Sequence, residues 1–124
     1  VPNILVIEDD EAIREMLRQV LGQEGFNVST AANGRAALEV MKEQTAQLVI
    51  TDILMPEKEG IETIFELRRD YPGVKVIAIS GGGRFEPQTY LDLADKIGAD
   101  RTLSKPFSPT HLLEVIKEVL NDTA

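Results

Sequence analysis

Asp52 follows the short apolar run Leu48-Val49-Ile50-Thr51 and stands just ahead of Pro56. The run is too short for a helix and rich in β-branched residues, which predicts a buried strand. Pro56 has no N–H to carry a ladder onward. Asp52 therefore ends its strand and points out of the sheet edge. Three other runs end in polar groups. Asn3 to Ile7 leads into Glu8-Asp9-Asp10-Glu11, Val74 to Ile79 into Ser80, and Arg101 to Ser104 into Lys105. In a parallel sheet these ends share one edge, and neighbouring strands are only about 5 Å apart.

Three carboxylates, a hydroxyl and an ammonium in one pocket define a narrow chemistry. Like charges so close are costly unless a cation joins them. A hard oxygen site with carboxylates, a backbone carbonyl and waters suits Mg²⁺, and its open positions suit phosphate oxygens. Lys105 offers a compact positive charge for a further phosphate oxygen. The Ser80 hydroxyl and the Gly81 N–H can donate to it. With Asp52 as the in-line oxygen nucleophile, this set meets the needs of phosphoryl transfer.

Taken singly, each residue has a plainer reading. Glu8 to Glu11 suits the positive N-terminal end of a helix. Asp52 suits a turn, Ser80 a strand end and Lys105 a solvated surface. Their joint placement at four strand ends favours a site. Gly81-Gly82-Gly83 lacks the Lys-Ser/Thr of a phosphate-binding P-loop. His111 reads as a surface residue, with no second histidine to partner it. Met16, Met41 and most aromatics fit helix stripes and are expected in the core.

The positioning elements follow from periodicity. Ala12 to Glu24 carries Ile13, Met16, Leu17, Val20 and Leu21 on one stripe, with Asp9 or Asp10 as cap and Gly25 as stop. Phe26, Val28 and Thr30 alternate with polar residues, as in an edge strand. Asn33 caps a helix to about Glu43, with Ala37, Leu38 and Met41 inward. Gly60 opens a helix with Ile61, Ile64, Phe65 and Leu67, and Tyr71-Pro72-Gly73 is a turn. A further helix carries Tyr90, Leu93, Ala94 and Ile97 and stops at Gly98. Arg101 to Ser104 is a second edge strand. Ser108 caps and Pro109 opens the last helix, with Leu112, Leu113, Ile116, Val119 and Leu120 as its stripe.

Strand and helix thus alternate five times without a linker. That pattern predicts an α/β fold with a parallel sheet and helices on both faces. The most apolar strands, the first, third and fourth, belong in the centre. The order 2-1-3-4-5 satisfies this and is the flavodoxin-like, doubly wound (βα)5 order, although periodicity alone leaves other orders open.

Length and composition exclude several classes. A chain of 124 residues with 43% hydrophobic residues suits one globular domain. Without cysteine there is no disulfide, thiolate metal site or cysteine nucleophile. No apolar stretch is long enough for a membrane span and no signal peptide is visible, so a cytoplasmic protein is expected. The net charge of −8 repels phosphate backbones and argues against direct nucleic-acid binding.

From about Asn3 to Leu120 the sequence resembles the receiver domain of two-component response regulators. The resemblance rests on Ile4-Leu5-Val6-Ile7-Glu8-Asp9-Asp10, Asp52-Ile53-Leu54-Met55-Pro56 with Gly60, Ser80, Gly98-Ala99-Asp100 and Lys105-Pro106-Phe107. It implies one receiver domain over residues 1–124 that accepts a phosphoryl group on Asp52, a signalling switch and not a turnover enzyme. It also implies that Asp9 binds Mg²⁺ directly and Glu8 mainly through water. Asp52 and the Leu54 carbonyl complete the metal ligands, and Ser80 and Lys105 hold the phosphoryl oxygens. A cis peptide before Pro106 would aim the lysine. The donor would be a phosphohistidine on a sensor histidine kinase or a histidine phosphotransfer protein. The readout, to an output domain or effector protein, would use the face of the fourth helix, fifth strand and fifth helix. That face is also a candidate homodimer surface.

The sequence departs from the family pattern in three places. Glu8 replaces the commoner aspartate, the segment from Ser80 to Tyr90 is longer and richer in glycine, and Thr102 stands where tyrosine or phenylalanine is usual. Thr102 brings little apolar area to a switch. The segment from Gly81 to Tyr90 is therefore expected to order on phosphorylation and shift the following helix. Two rival readings fare less well. An aspartate-nucleophile phosphatase usually has a second acid two residues after the nucleophile, and Leu54 cannot be one. A flavin module would need a phosphate-binding loop where Glu8 to Glu11 repel phosphate.

Overall fold

Alternate residues of a strand face opposite sides of a sheet, so a strand that is apolar throughout must be covered on both sides. That condition governs the observed architecture. The computed structural model describes residues 2–52, 59–80, 99–104 and 107–121, with the backbone alone for 59–61, 80 and 104. The elements in chain order are β1 (Asn3–Ile7), α1 (Glu11–Gln23), β2 (Asn27–Ala31), α2 (Gly34–Glu43), β3 (Leu48–Asp52), α3 (Glu59–Asp70), β4 (Lys75–Ser80), β5 (Arg101–Ser104) and α4 (Pro109–Asn121). The expected glycine loop from Gly81 and the helix of Tyr90, Leu93, Ala94 and Ile97 lie outside the described residues.

All strands pair in parallel in the order β2-β1-β3-β4-β5. This is the flavodoxin-like order, with the half-polar β2 and β5 at the edges. Ile4 and Val6 of β1, Leu48 and Ile50 of β3, and Ile77 and Ile79 of β4 pack against Leu17 and Leu21 of α1 and Leu112, Val115, Ile116 and Val119 of α4. Leu5, Ile7, Val49, Val76 and Ala78 form a second core with Ala37 and Met41 of α2 and Ile64 and Leu67 of α3. The sheet thus has one core on each face.

Local chemistry sets the helix ends. Asp10 Oδ1 accepts from the N–H groups of Ala12 (2.9 Å) and Ile13 (3.2 Å), Asn33 Oδ1 from Ala36 (2.8 Å) and Ser108 Oγ from His111 (3.0 Å). Each bond satisfies a donor that the first helical turn leaves open. After α1, Phe26 N donates to the Leu21 carbonyl and Gly25 N to that of Gly22. This closure needs the φ of +93° that Gly25 adopts. Two expected core residues are outside instead. Met16 is 44% and Phe65 59% exposed, each at the margin of its stripe, where the helix turns its apolar arc towards solvent.

Asp100 fastens β5 to the sheet before the strand begins. Its N–H donates to the Val76 carbonyl at 2.8 Å, and its Oδ2 accepts from Val76 N at 2.7 Å. Arg68 of α3 lies 3.5 Å from the same carboxylate oxygen and also donates to the Val74 carbonyl. Val76 is fully buried, so loss of this acceptor strands its N–H. Asp100→Ala is expected to lower stability by about 1–3 kcal/mol, while Asp100→Asn, which keeps an acceptor oxygen, recovers most of it. Urea unfolding of the three proteins measures this, and an unchanged midpoint for the alanine variant would show that the clamp contributes nothing.

Candidate functional site

Strand register brings the acidic residues together. Ile7 of β1 pairs with Thr51 of β3, so Glu8 and Asp52, the next residues outward, stand side by side. Asp52 pairs with Ile79, and Ser80, one residue farther out, ends β4 opposite Ser104 of β5. Lys105 follows Ser104 in sequence. The backbone therefore carries Glu8, Asp52 and Ser80 to the carboxyl edge of three adjacent central strands. Leu54, Lys105 and the Lys105–Pro106 peptide lie outside the described residues.

Glu8 N–H donates to the Ala31 carbonyl at 3.0 Å, which carries the β1–β2 pairing one residue past the strand. Glu8 is 4% and Asp52 7% exposed, whereas Asp9 is exposed. Thr51, fully buried behind Asp52, donates through Oγ1 to the Asp52 carbonyl at 3.2 Å. One carboxylate oxygen from each of Glu8, Asp9 and Asp52 lies within 4.8 Å of the other two.

The donor set fits a small hard cation. Oxygens on opposite sides of one Mg²⁺ are about 4.2 Å apart at its ~2.1 Å bond length. A trio within 4.8 Å of one another matches that scale, with room for one member to act through water. Among the described residues this is the one cluster of three or more acidic or histidine side chains with such spacing. It excludes thiolate and imidazole ligands: the chain has no cysteine, and His111 is exposed on α4. The same arrangement sets the buried Asp52 carboxylate beside those of Glu8 and Asp9 at the sheet edge.

One residue at this site had no signal in the sequence reading. Arg14 of α1 donates through Nη1 to the Glu8 carbonyl at 2.8 Å. An arginine in the first turns of an amphipathic helix reads as solvated surface, and only the fold shows that it turns back onto the β1–α1 turn. Thr102 is half-buried on β5 opposite Ala78. No helix among the described residues is long and apolar enough to cross a membrane.

Comparison with known proteins agrees with this geometry. The sequence profile of the response regulator receiver domain matches residues 4–117. The chemotaxis protein CheY of Thermotoga maritima is 35% identical over 94% of this chain and 95% of its own length. A CpxR homolog of Haemophilus influenzae, a transcriptional regulatory protein, is 37% identical over 98% of this chain. The chain spans 51% of that protein and 48% of Klebsiella pneumoniae CpxR, about half the length of these relatives. A CheY-like receiver domain from Methanospirillum hungatei superposes with a TM-score of 0.88 at 32% identity, covering 99% of this chain and 96% of that one. NtrX from Brucella abortus gives 0.90 at 27% identity, over 99% of this chain and 27% of that one. With the acidic cluster at the carboxyl edge of a 2-1-3-4-5 sheet, these matches place the chain in the family of response regulator receiver domains, the phosphorelay signalling domains of two-component systems.

Proposed function

We propose that this receiver domain takes a phosphoryl group from a phosphohistidine onto Asp52 and assists both that transfer and its reversal by hydrolysis. The observation that carries the reading is the convergence of Glu8, Asp9 and Asp52 within 4.8 Å, two of them buried. An Asp52 oxygen attacks phosphorus in line, the new P–O bond forms and the P–N bond to the donor imidazole breaks. Asp9 holds Mg²⁺ directly, Glu8 acts through water, and Asp52 and the Leu54 carbonyl complete the protein ligands. Mg²⁺, when bound, supplies the charge that offsets both the carboxylates and the phosphoryl oxygens. Ser80 donates a hydrogen bond to one phosphoryl oxygen and Lys105 pairs with another.

The partners are a sensor histidine kinase or histidine phosphotransfer protein upstream and an output domain or effector downstream. The CpxR relatives are named transcriptional regulatory proteins, and this chain matches half of each. That supports an output role in which any nucleic-acid contact belongs to another domain, consistent with the charge of −8 here. The setting is cytoplasmic, where histidine kinases present their phosphohistidine. The switched face is formed by the expected helix carrying Tyr90, Leu93 and Ile97, together with β5 and the last helix, α4, and is also where a homodimer would form.

Intact mass after incubation with a small phosphodonor and Mg²⁺ should rise by one phosphoryl group, and Asp52→Asn should abolish the rise. A substituted protein that still gains the phosphoryl mass would overturn the assignment. In a metal titration Asp9→Ala should weaken Mg²⁺ binding severely and Glu8→Gln less, because a direct ligand contributes more than one acting through water. Equal losses would count against that division. Thr102→Tyr should leave the hydrogen-exchange response to a phosphoryl mimic nearly unchanged if residues 81–90 carry the switch. A large change would place the switch on β5 instead.

A further inference from the structure

The turn that presents Glu8 and Asp9 is fastened three ways. β2 holds its start, through the 3.0 Å bond from Glu8 N–H to the Ala31 carbonyl. Asp10 holds its end, by capping α1 through its side chain. Between these, Arg14 Nη1 donates to the Glu8 carbonyl at 2.8 Å in a part-buried contact, and the Arg14 side chain is half-buried. That carbonyl belongs to the peptide joining Glu8 to Asp9. Its plane determines the direction in which Asp9 leaves the strand. A charged donor on a carbonyl makes a stronger bond than a neutral one. Arg18, one helical turn later, pairs instead with the exposed Glu15, whose carboxyl its hydrogen bond holds below the usual range.

We infer that Arg14 is a positioning residue. Its guanidinium fixes the Glu8–Asp9 peptide so that both carboxylates meet a divalent cation together with Asp52. This rests on the acidic cluster being the Mg²⁺ site. Two consequences of removing Arg14 have opposite signs. Loss of a positive charge near a cation site strengthens metal binding. Loss of the fastening frees the acidic pair and weakens it. The sign of the affinity change therefore identifies the role.

Calorimetric titration of the full chain with MgCl₂ tests this on the parent, Arg14→Met, Arg14→Lys and Arg18→Met. Arg14→Met is expected to bind about tenfold more weakly, the lower end of the range for groups that orient metal ligands. Arg14→Lys, with a charged donor of shorter reach, should fall between it and the parent, and Arg18→Met should match the parent. Amide exchange at Asp9 and Asp10 without metal should quicken in Arg14→Met. Binding by Arg14→Met as tight as the parent's, or tighter, overturns the positioning role while leaving the metal site intact. A parent that takes up no Mg²⁺ overturns the metal-site reading and this inference with it. If Arg14→Met does not fold, Arg14→Lys decides: weaker binding supports the role and unchanged binding overturns it.

Discussion

Repulsion among three carboxylates is the constraint around which this domain is built. At separations within 4.8 Å, carboxylate charges oppose one another, least for contacts to the exposed Asp9. A loop could relieve such crowding by moving. Glu8 and Asp52 cannot, because Glu8 follows β1, buried from Ile4 to Ile7, and Asp52 ends the fully buried β3, and the pairing of these strands fixes their heights in the sheet. The fold thus gathers negative charge at one edge of the sheet. Under the proposed function, a bound Mg²⁺ would answer that charge.

Most of this was legible in the sequence because two patterns agree. Continuous apolar runs marked β1, β3 and β4 as central, and polar residues at their ends marked the edge where chemistry belongs. Element boundaries followed the caps closely: Asp10, Asn33 and Ser108 each make the bond their residue type predicts. Periodicity overreached at Met16 and Phe65, since a helical stripe shows which side faces inward and not how far coverage extends. The contacts of Arg14 and of Asp100, although Asp100 belongs to the Gly98-Ala99-Asp100 signature, were illegible for a different reason. Their roles depend on which backbone group lies within reach, and no spacing rule encodes a contact between α1 and the end of β1, or between residue 100 and the start of β4.

These two side chains do similar work at opposite edges of the sheet. Each is a charged group that ends on backbone as well as, or instead of, on another charge. A surface ion pair such as Arg69–Asp70 adds little to stability, because water competes for both partners. A charged side chain on a buried or part-buried peptide group has less such competition and carries direction as well as energy. Asp100 spends that direction on the start of β5. Arg14 applies it to the β1–α1 turn.

The edge opposite the carboxylates explains why the register can be trusted to hold them. Every adjacent strand pair is tied there by a backbone bond beyond the regular ladder. Asn27 N donates to the Pro2 carbonyl (3.1 Å), Gln47 N to Asn3 (2.9 Å), Lys75 N to Gln47 (3.0 Å) and Asp100 N to Val76 (2.8 Å). Asn3 N also donates to the Gln47 side chain at 2.6 Å. A slip of one residue would break such a tie and turn every side chain of that strand to the other face. For β3 it would carry Asp52 away from Glu8 and put Val49 and Thr51 in place of Leu48 and Ile50 against α1 and α4. Neutral peptide groups at one edge therefore fix the heights of the strands, and charged groups at the other exploit those heights. An acidic site can be held against its own repulsion because the bonds that fix it lie a full strand length away, where the charges do not oppose them.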